Sequence, residues 1–191
     1  MDERIVIAGA GSIGCFVGGL LAAGGREVIL LARPRVAAEV AEHGLRLSSF
    51  EGWEEHVPAT SLRIETDAAT ALAGANLVVV TVKSGATPEM AGLIDANAPR
   101  EAMVVSLQNG LANAALLRSA LPSRRVLAGM VPFNVVALGG GRFHRGTSGD
   151  LIVDDIPEVT AFLSVPHVPV LGHPDMIAVL AGNRCSTSTM R

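Results

Sequence analysis

Residues 4–14 read RIVIAGAGSIG, and the chain on either side takes its meaning from them. After Arg4 the apolar run from Ile5 to Ala8 breaks at glycine, and SIGCFVGGLLAAGG then continues apolar until the pair Gly24 and Gly25. The first piece reads as a short buried strand and the second as a helix. EVILLAR, residues 27–33, is a second strand. Strand, turn, helix and strand within about 30 residues make a βαβ unit, with parallel strands and a right-handed crossover. Gly9, Gly11 and Gly14, with Ala10, Ser12 and Ile13 between them, have the spacing G-x-G-x-x-G. In that pattern the first glycine permits the tight turn, the second lets the backbone approach a pyrophosphate, and the third lets helix and strand pack closely. The helix N-terminus presents free N–H groups and a positive dipole end to the phosphates. Alone the hexamer says little in a chain with 21 glycines. The strand before it, the helix after it and the second strand on schedule are what make it a dinucleotide fingerprint.

The end of the second strand selects the cofactor. An NAD or FAD site usually carries an acid about 20 residues after the glycines, to accept from the ribose hydroxyls. Here Ala32 and Arg33 stand there instead. A guanidinium leaves those hydroxyls without an acceptor but holds a 2′-phosphate bidentately, which favours NADP (NADPH) over NAD. Two other strands end in polar residues where such a sheet delivers its ligand-facing side chains. Lys83 closes NLVVVTVK and Asn109 opens the turn of SLQNGL. An ammonium can hold a phosphate, ribose or carboxylate, and an amide can orient a carbonyl or nicotinamide. Read blandly, Lys83 is a solvated strand end and Asn109 a helix N-cap.

The remaining pattern is α/β throughout. A helix is expected over 36–43, then strands in GLRLSS and SLRIET flanking a polar insert that contains Trp53, then a short helix in DAATALAG. Further on come a helix over 87–97, the strand AMVVSLQ, a helix over 111–120 and the strand RVLAGMV. NLVVVTVK carries a continuous β-branched run, as expected of a strand covered on both faces. The glycines between Phe133 and Val153 predict antiparallel hairpins at the sheet edge. IPEVTAFLS reads as a helix, VPVLG as a last strand, and PDMIAVLAG as a helix that the polar tail cuts short. The fold class is therefore α/β, a Rossmann-type doubly wound, mainly parallel sheet with an antiparallel edge extension.

Composition excludes several functions. With 49% apolar and 17% charged residues and a net charge of −3, nothing in the electrostatics points to nucleic acid. No run approaches the roughly 18 apolar residues of a membrane helix, and the two acids in MDERIVIAGAG are wrong for a secretory signal, so a cytoplasmic location is expected. Cys15 and Cys185 make neither a disulfide framework nor a metal quartet. His43, His56, His144, His167 and His173 are scattered without metal-ligand spacing and read as surface or turn residues, so no metal is expected. Ser84 and Ser106 have no hydrolase elbow around them. A chain without tyrosine lacks the acid of short-chain dehydrogenases, and the missing acid after the second strand disfavours flavoproteins.

VIAGAGSIG, Arg33 after LLA, VVVTVKS, SLQNG and FHRGTSG come in the order and at the spacing of the ketopantoate reductases, which this chain resembles over residues 4–180. The resemblance implies NADPH-dependent reduction of 2-dehydropantoate, a small 2-oxoacid, to pantoate in coenzyme A biosynthesis. It also implies a cofactor domain, residues 1–173, followed by an all-helical domain of which 174–191 is a stump, with the active site between the two. By the same resemblance Gly9 to Gly14 hold the pyrophosphate, Arg33 the 2′-phosphate, and Lys83 and Asn109 take cofactor-side cleft positions. Val135 falls near a position whose backbone lines the nicotinamide end. Ala112 departs from the family's frequent QNGxG. A noncatalytic NADP-binding module, or another 2-oxoacid or opine-type dehydrogenase on this scaffold, remains as an alternative.

The resemblance places a catalytic lysine in K-x-x-x-N on the first helix of the second domain, where a tuned amine would protonate the keto oxygen. This chain has no lysine after Lys83, and AGNRCSTSTMR stands where the motif is due. Permissive codons read in a shifted frame can restore K-x-x-x-N, so the sequence is expected to be out of frame from about residue 183. A shortened domain of this kind is expected to expose the Met176, Ile177 and Leu180 side of its last helix and to self-associate through it.

Overall fold

Side chains of β1 (Arg4–Ala8) alternate between two cores, and that alternation sets the layers of the molecule. Ile5 and Ile7 join one core with Phe16 and Leu20, while Val6 and Ala8 join the opposite one with Leu72, Met90, Ile94 and Leu117. Burying each large apolar side chain stabilises by roughly 1.5–3 kcal/mol, so a strand apolar at every position after Arg4 is held from both sides. The computed structural model describes residues 4–186.

After β1 come α1 (Ser12–Ala23), β2 (Glu27–Leu31), α2 (Pro34–His43), β3 (Leu45–Ser49), β4 (Glu54–Val57), β5 (Arg63–Glu65) and α3 (Ala68–Leu72). The second half runs β6 (Leu77–Val80), α4 (Thr87–Asn97), β7 (Met103–Ser106), α5 (Leu111–Ala120) and β8 (Val126–Met130). It closes with β9 (Val135–Gly139), β10 (Arg142–Arg145), β11 (Leu151–Asp154), α6 (Pro157–Leu163), β12 (Val170–His173) and α7 (Met176–Ser186). The helices expected over 87–97 and 111–120 lie where they were read. Helix α2 starts two residues earlier than expected, because Pro34 at its first turn is preset for a helix start.

Eight strands form the main sheet in the order β12-β11-β8-β7-β6-β1-β2-β5. From β8 to β5 all neighbours are parallel, and β11 extends the sheet antiparallel to β8. This is the mainly parallel, doubly wound architecture with an antiparallel extension. The 133–153 region is only partly an edge hairpin, however. β9 and β10 pair with each other and then with β3, making a separate four-stranded sheet in the order β4-β3-β10-β9. GLRLSS and SLRIET therefore go to different sheets, and the polar insert between them contains a strand of its own.

Helix α1 is the layer between the sheets. A Cβ on Gly18 would sit 2.6 Å from Leu30 Cδ2 and 2.8 Å from Ile7 Cγ1, on the main sheet. One on Gly19 would sit 2.8 Å from Leu47 Cδ1 and 2.9 Å from Leu45 Cδ1, on the small one. Two adjacent glycines thus let one helix approach both sheets. Trp53 and Phe133 then close on Phe16 of the same helix, with ring centroids 6.0 and 5.9 Å away.

The expectation for the last helix needs correction. Met176 and Leu180 are 3% and 4% exposed, packed on Ala114 of α5 and on Ala128 and Met130 of β8. Only Ile177 of the three faces outward, at 68% exposed. The backbone of α7 runs on helically through Ser186, so it takes in the first part of the polar tail. The rest of the tail expected to be out of frame, residues 187–191, lies outside the described residues. Among the described residues no helix is long and apolar enough to cross a membrane, and no group of side chains has the composition of a metal site.

Candidate nucleotide site

Because β1, β2, β6 and β7 are parallel, their C-terminal ends lie along one edge of the sheet. The chain steps outward from β1 to β2 and β5, then returns to β6 on the other side of β1. The switch point between β1 and β6 is where open α/β sheets form a ligand crevice. The structure brings to that edge the glycine turn, Arg33, Lys83 and Asn109. Val135 comes from elsewhere: it opens β9 in the small sheet, half-buried against the core that α1 shares.

The glycine turn is tightly built. Gly9 has φ +115°, and a Cβ there would come 2.6 Å from Val82 Cγ1 and 2.9 Å from Val82 N, so it is restricted both by conformation and by space. A Cβ on Gly14 would strike Gly9 O and lie 2.8 Å from Thr81 Oγ1. At Gly11 the result is the reverse, with no atom of the described residues within 4 Å of the added carbon. The open face of the turn is thus at the second glycine, the position that in a dinucleotide fingerprint lets the backbone approach a pyrophosphate. Cys15 N–H makes the first α-helical bond, to Gly11 O, so the N–H groups of Ser12, Ile13 and Gly14 precede the ladder. Among the described residues no side chain caps this end of α1, and its first turn has no acid. Free donors, a dipole end and an uncluttered approach together fit a pyrophosphate. Cys15 itself is no nucleophile: burial, with a smaller contribution from Glu39, pushes its thiol up to about 12.

Arg33 is exposed at the N-cap position of α2, and no salt bridge holds it among the described residues. Its position at the end of β2, next to β1, suits a phosphate on the adenosine ribose. Lys83 is exposed with φ −64° and ψ 147°, just before a single 3-10 turn that leads into α4. Asn109 is also exposed, but it is not the cap of α5. Gly110 takes that place with φ +103°, which leaves the Asn109 amide unused by the helix.

Sequence reasoning missed the polar residues behind these two. Gln108 and Asn113 are each 6% exposed, and Thr87 is fully buried. Gln108 Nε2 donates to Val82 O and to Thr87 Oγ1, both at 2.8 Å. Asn113 Nδ2 donates to Ser84 Oγ and to Asn109 O, both at 3.0 Å. The signal available was an uncharged polar residue directly after an apolar strand, which must find partners when buried.

The sheet order, the glycine turn and the crevice define a Rossmann-type domain. The family model described as Ketopantoate reductase PanE/ApbA matches residues 5–158, and the chain belongs to that family of oxidoreductases. A 2-dehydropantoate 2-reductase of Halobacterium salinarum is 40% identical over 151 residues, which is 78% of this chain and 48% of that protein. The crystal structure of a PanE/ApbA family ketopantoate reductase from Ralstonia eutropha is 32% identical with a TM-score of 0.83, over 93% of this chain and 59% of that one. D-mandelate dehydrogenase, in a ternary structure with NADH, has a TM-score of 0.82 at 20% identity over 98% of this chain and 62% of its own, a likeness of fold. The chain spans about half the length of the first of these relatives.

Proposed function

We propose that this chain is the cofactor-binding part of an NADPH-dependent 2-dehydropantoate 2-reductase, the enzyme that makes pantoate for coenzyme A biosynthesis. The observation that carries the proposal is the contrast within the glycine turn, where Gly9 and Gly14 are packed shut and Gly11 is open beside three free N–H groups. Family membership supplies the reaction class. Bound NADPH would supply the hydride that reduces the keto carbon of the 2-oxoacid.

The chain's own residues do the holding. Ser12, Ile13 and Gly14 N–H groups would receive the pyrophosphate, and the α1 dipole favours its charge. Arg33 would pair with the 2′-phosphate through charge-assisted bonds. Lys83 and Asn109 would hold the cofactor on the β6 and β7 side, with the backbone at Val135 near its nicotinamide end. The proton for the keto oxygen is assigned to a lysine that this sequence lacks beyond Lys83, in the helical part of the enzyme that we place after residue 173. A positioned acid contributes roughly 10²–10⁴-fold, so this chain alone should bind NADPH while turning over 2-dehydropantoate about 10²-fold or more below a full-length relative. NADPH titration followed by nicotinamide oxidation with 2-dehydropantoate tests both halves. Absence of saturable NADPH binding refutes the cofactor assignment, and turnover within about tenfold of the relative refutes the division of labour.

A further inference from the structure

Immediately behind exposed Lys83 and Asn109 lies a hydrogen-bond network in which each proton of Ser106 Oγ, Gln108 Nε2, Thr87 Oγ1 and Asn113 Nδ2 has one partner. Ser106 Oγ donates to Gln108 Oε1 at 3.2 Å. Both Nε2 protons of Gln108 are used, on Val82 O and Thr87 Oγ1. Thr87 passes its own proton to Asn113 Oδ1 at 3.4 Å, and both Nδ2 protons of Asn113 go to Ser84 Oγ and Asn109 O. Reversing either amide would set its oxygen against a backbone carbonyl, Val82 O or Asn109 O, so the orientation of both amides follows from their chemistry.

What the network grips is specific. Val82 O and Ser84 Oγ lie one residue before and one after Lys83, and the bond to Asn109 O holds the backbone of the other exposed polar residue. From the same turn, Thr81 Oγ1 donates to Gly9 O at 2.7 Å, which ties this assembly to the glycine turn. Three turns on the edge read as the cofactor site are thereby cross-linked below the surface, while the side chains of Lys83 and Asn109 make no hydrogen bond among the described residues.

We infer that Gln108, Thr87 and Asn113 are positioning residues that preset Lys83 and Asn109 for the cofactor. The inference rests on the reading of this edge as an NADPH site. Order present before binding need not be bought from the binding energy, so loosening the network should weaken NADPH while the fold survives.

A double-mutant cycle on NADPH affinity in the 191-residue chain tests it. Asn109→Ala should weaken NADPH about tenfold in the wild-type background, since a lost partner leaves a desolvated polar group unpaired. In a Thr87→Val or Gln108→Met background the same change should cost under about threefold, because the amide is no longer held in place. Thr87→Ser keeps the hydroxyl and should restore the wild-type cost. A purely structural network predicts that the costs multiply, and that outcome, or unchanged affinity in both network variants, overturns the inference alone. If Gln108→Met does not fold, the Thr87 pair decides. A wild-type chain that shows no saturable NADPH binding overturns the cofactor reading and the inference with it.

Discussion

Adding one methyl group at Gly14 and one at Gly11 should separate the packing of the glycine turn from its binding. At Gly14 the methyl lands on the hydrogen bond between Thr81 Oγ1 and Gly9 O, and lies 3.0 Å from Ile7 Cγ2. Backbone cannot rotate away as a side chain can, so the cost belongs at the upper end of overpacking, about 3 kcal/mol. Alanine at this helical position returns roughly 0.5–1 kcal/mol of conformational preference. The net loss for Gly14→Ala is about 2 kcal/mol, or about 4–8 °C in Tm for a chain of this size. At Gly11 the methyl meets nothing, and φ −89° is open to alanine, so Gly11→Ala should change stability by less than about 0.5 kcal/mol. It projects where the phosphate must come, and NADPH should weaken about tenfold or more, the equivalent of 1.4 kcal/mol. Urea unfolding and NADPH titration of both variants make the assay. Equal losses of stability, or Gly11→Ala binding NADPH as well as wild type, would refute the reasoning.

Further expectations concern the rest of the molecule. Leu180→Ala should destabilise by about 2–5 kcal/mol, the range for a truncated core leucine, while Ile177→Ala stays within about 0.5 kcal/mol in the same urea experiment. Cys15, with its thiol raised from 9.0 to about 12, should show about 1,000-fold less thiolate near pH 8 than an ordinary cysteine. Alkylation of a Cys185→Ser variant, native against unfolded, measures this. Asp67 caps α3 by accepting from Thr70 Oγ1 and N–H, and those bonds hold its carboxyl below the usual range. Its contribution to stability is therefore present above the unfolded carboxyl's range and lost as pH falls through the lowered folded value. Asp67→Asn should remove that part of the acid slope in pH-dependent melts.

The sequence told most where physics is local. RIVIAGAGSIG placed the strand, the turn and the helix start, and the β-branched run within NLVVVTVK announced a strand buried on both faces. Arg33, Lys83 and Asn109 could be placed on one edge from the sequence because parallel strands send their ends there. Pairing between distant segments was not legible. Nothing within LRLSS says that it joins β10 rather than the main sheet, because register is decided by partners about 100 residues away. Gly18 and Gly19 held the clue, since interior glycines weaken a helix unless something approaches closely. Met176 and Leu180 were expected to be bare, yet an i, i+4 apolar pair has one face and here that face meets α5 and β8. Gln108 was overlooked because an amide after a strand looks the same in sequence whether it faces solvent or closes a network.

The most direct test of the account is the ratio of NADPH to NADH affinity in the wild-type chain and in Arg33→Ala. A charge-assisted contact to the 2′-phosphate, about 1.5–3 kcal/mol, predicts that NADPH binds about 10–100-fold tighter than NADH. Arg33→Ala should bring the two within about threefold of each other by weakening NADPH alone. Equal wild-type affinities, or a preference that survives the loss of Arg33, would contradict the assignment of this edge as an NADPH site.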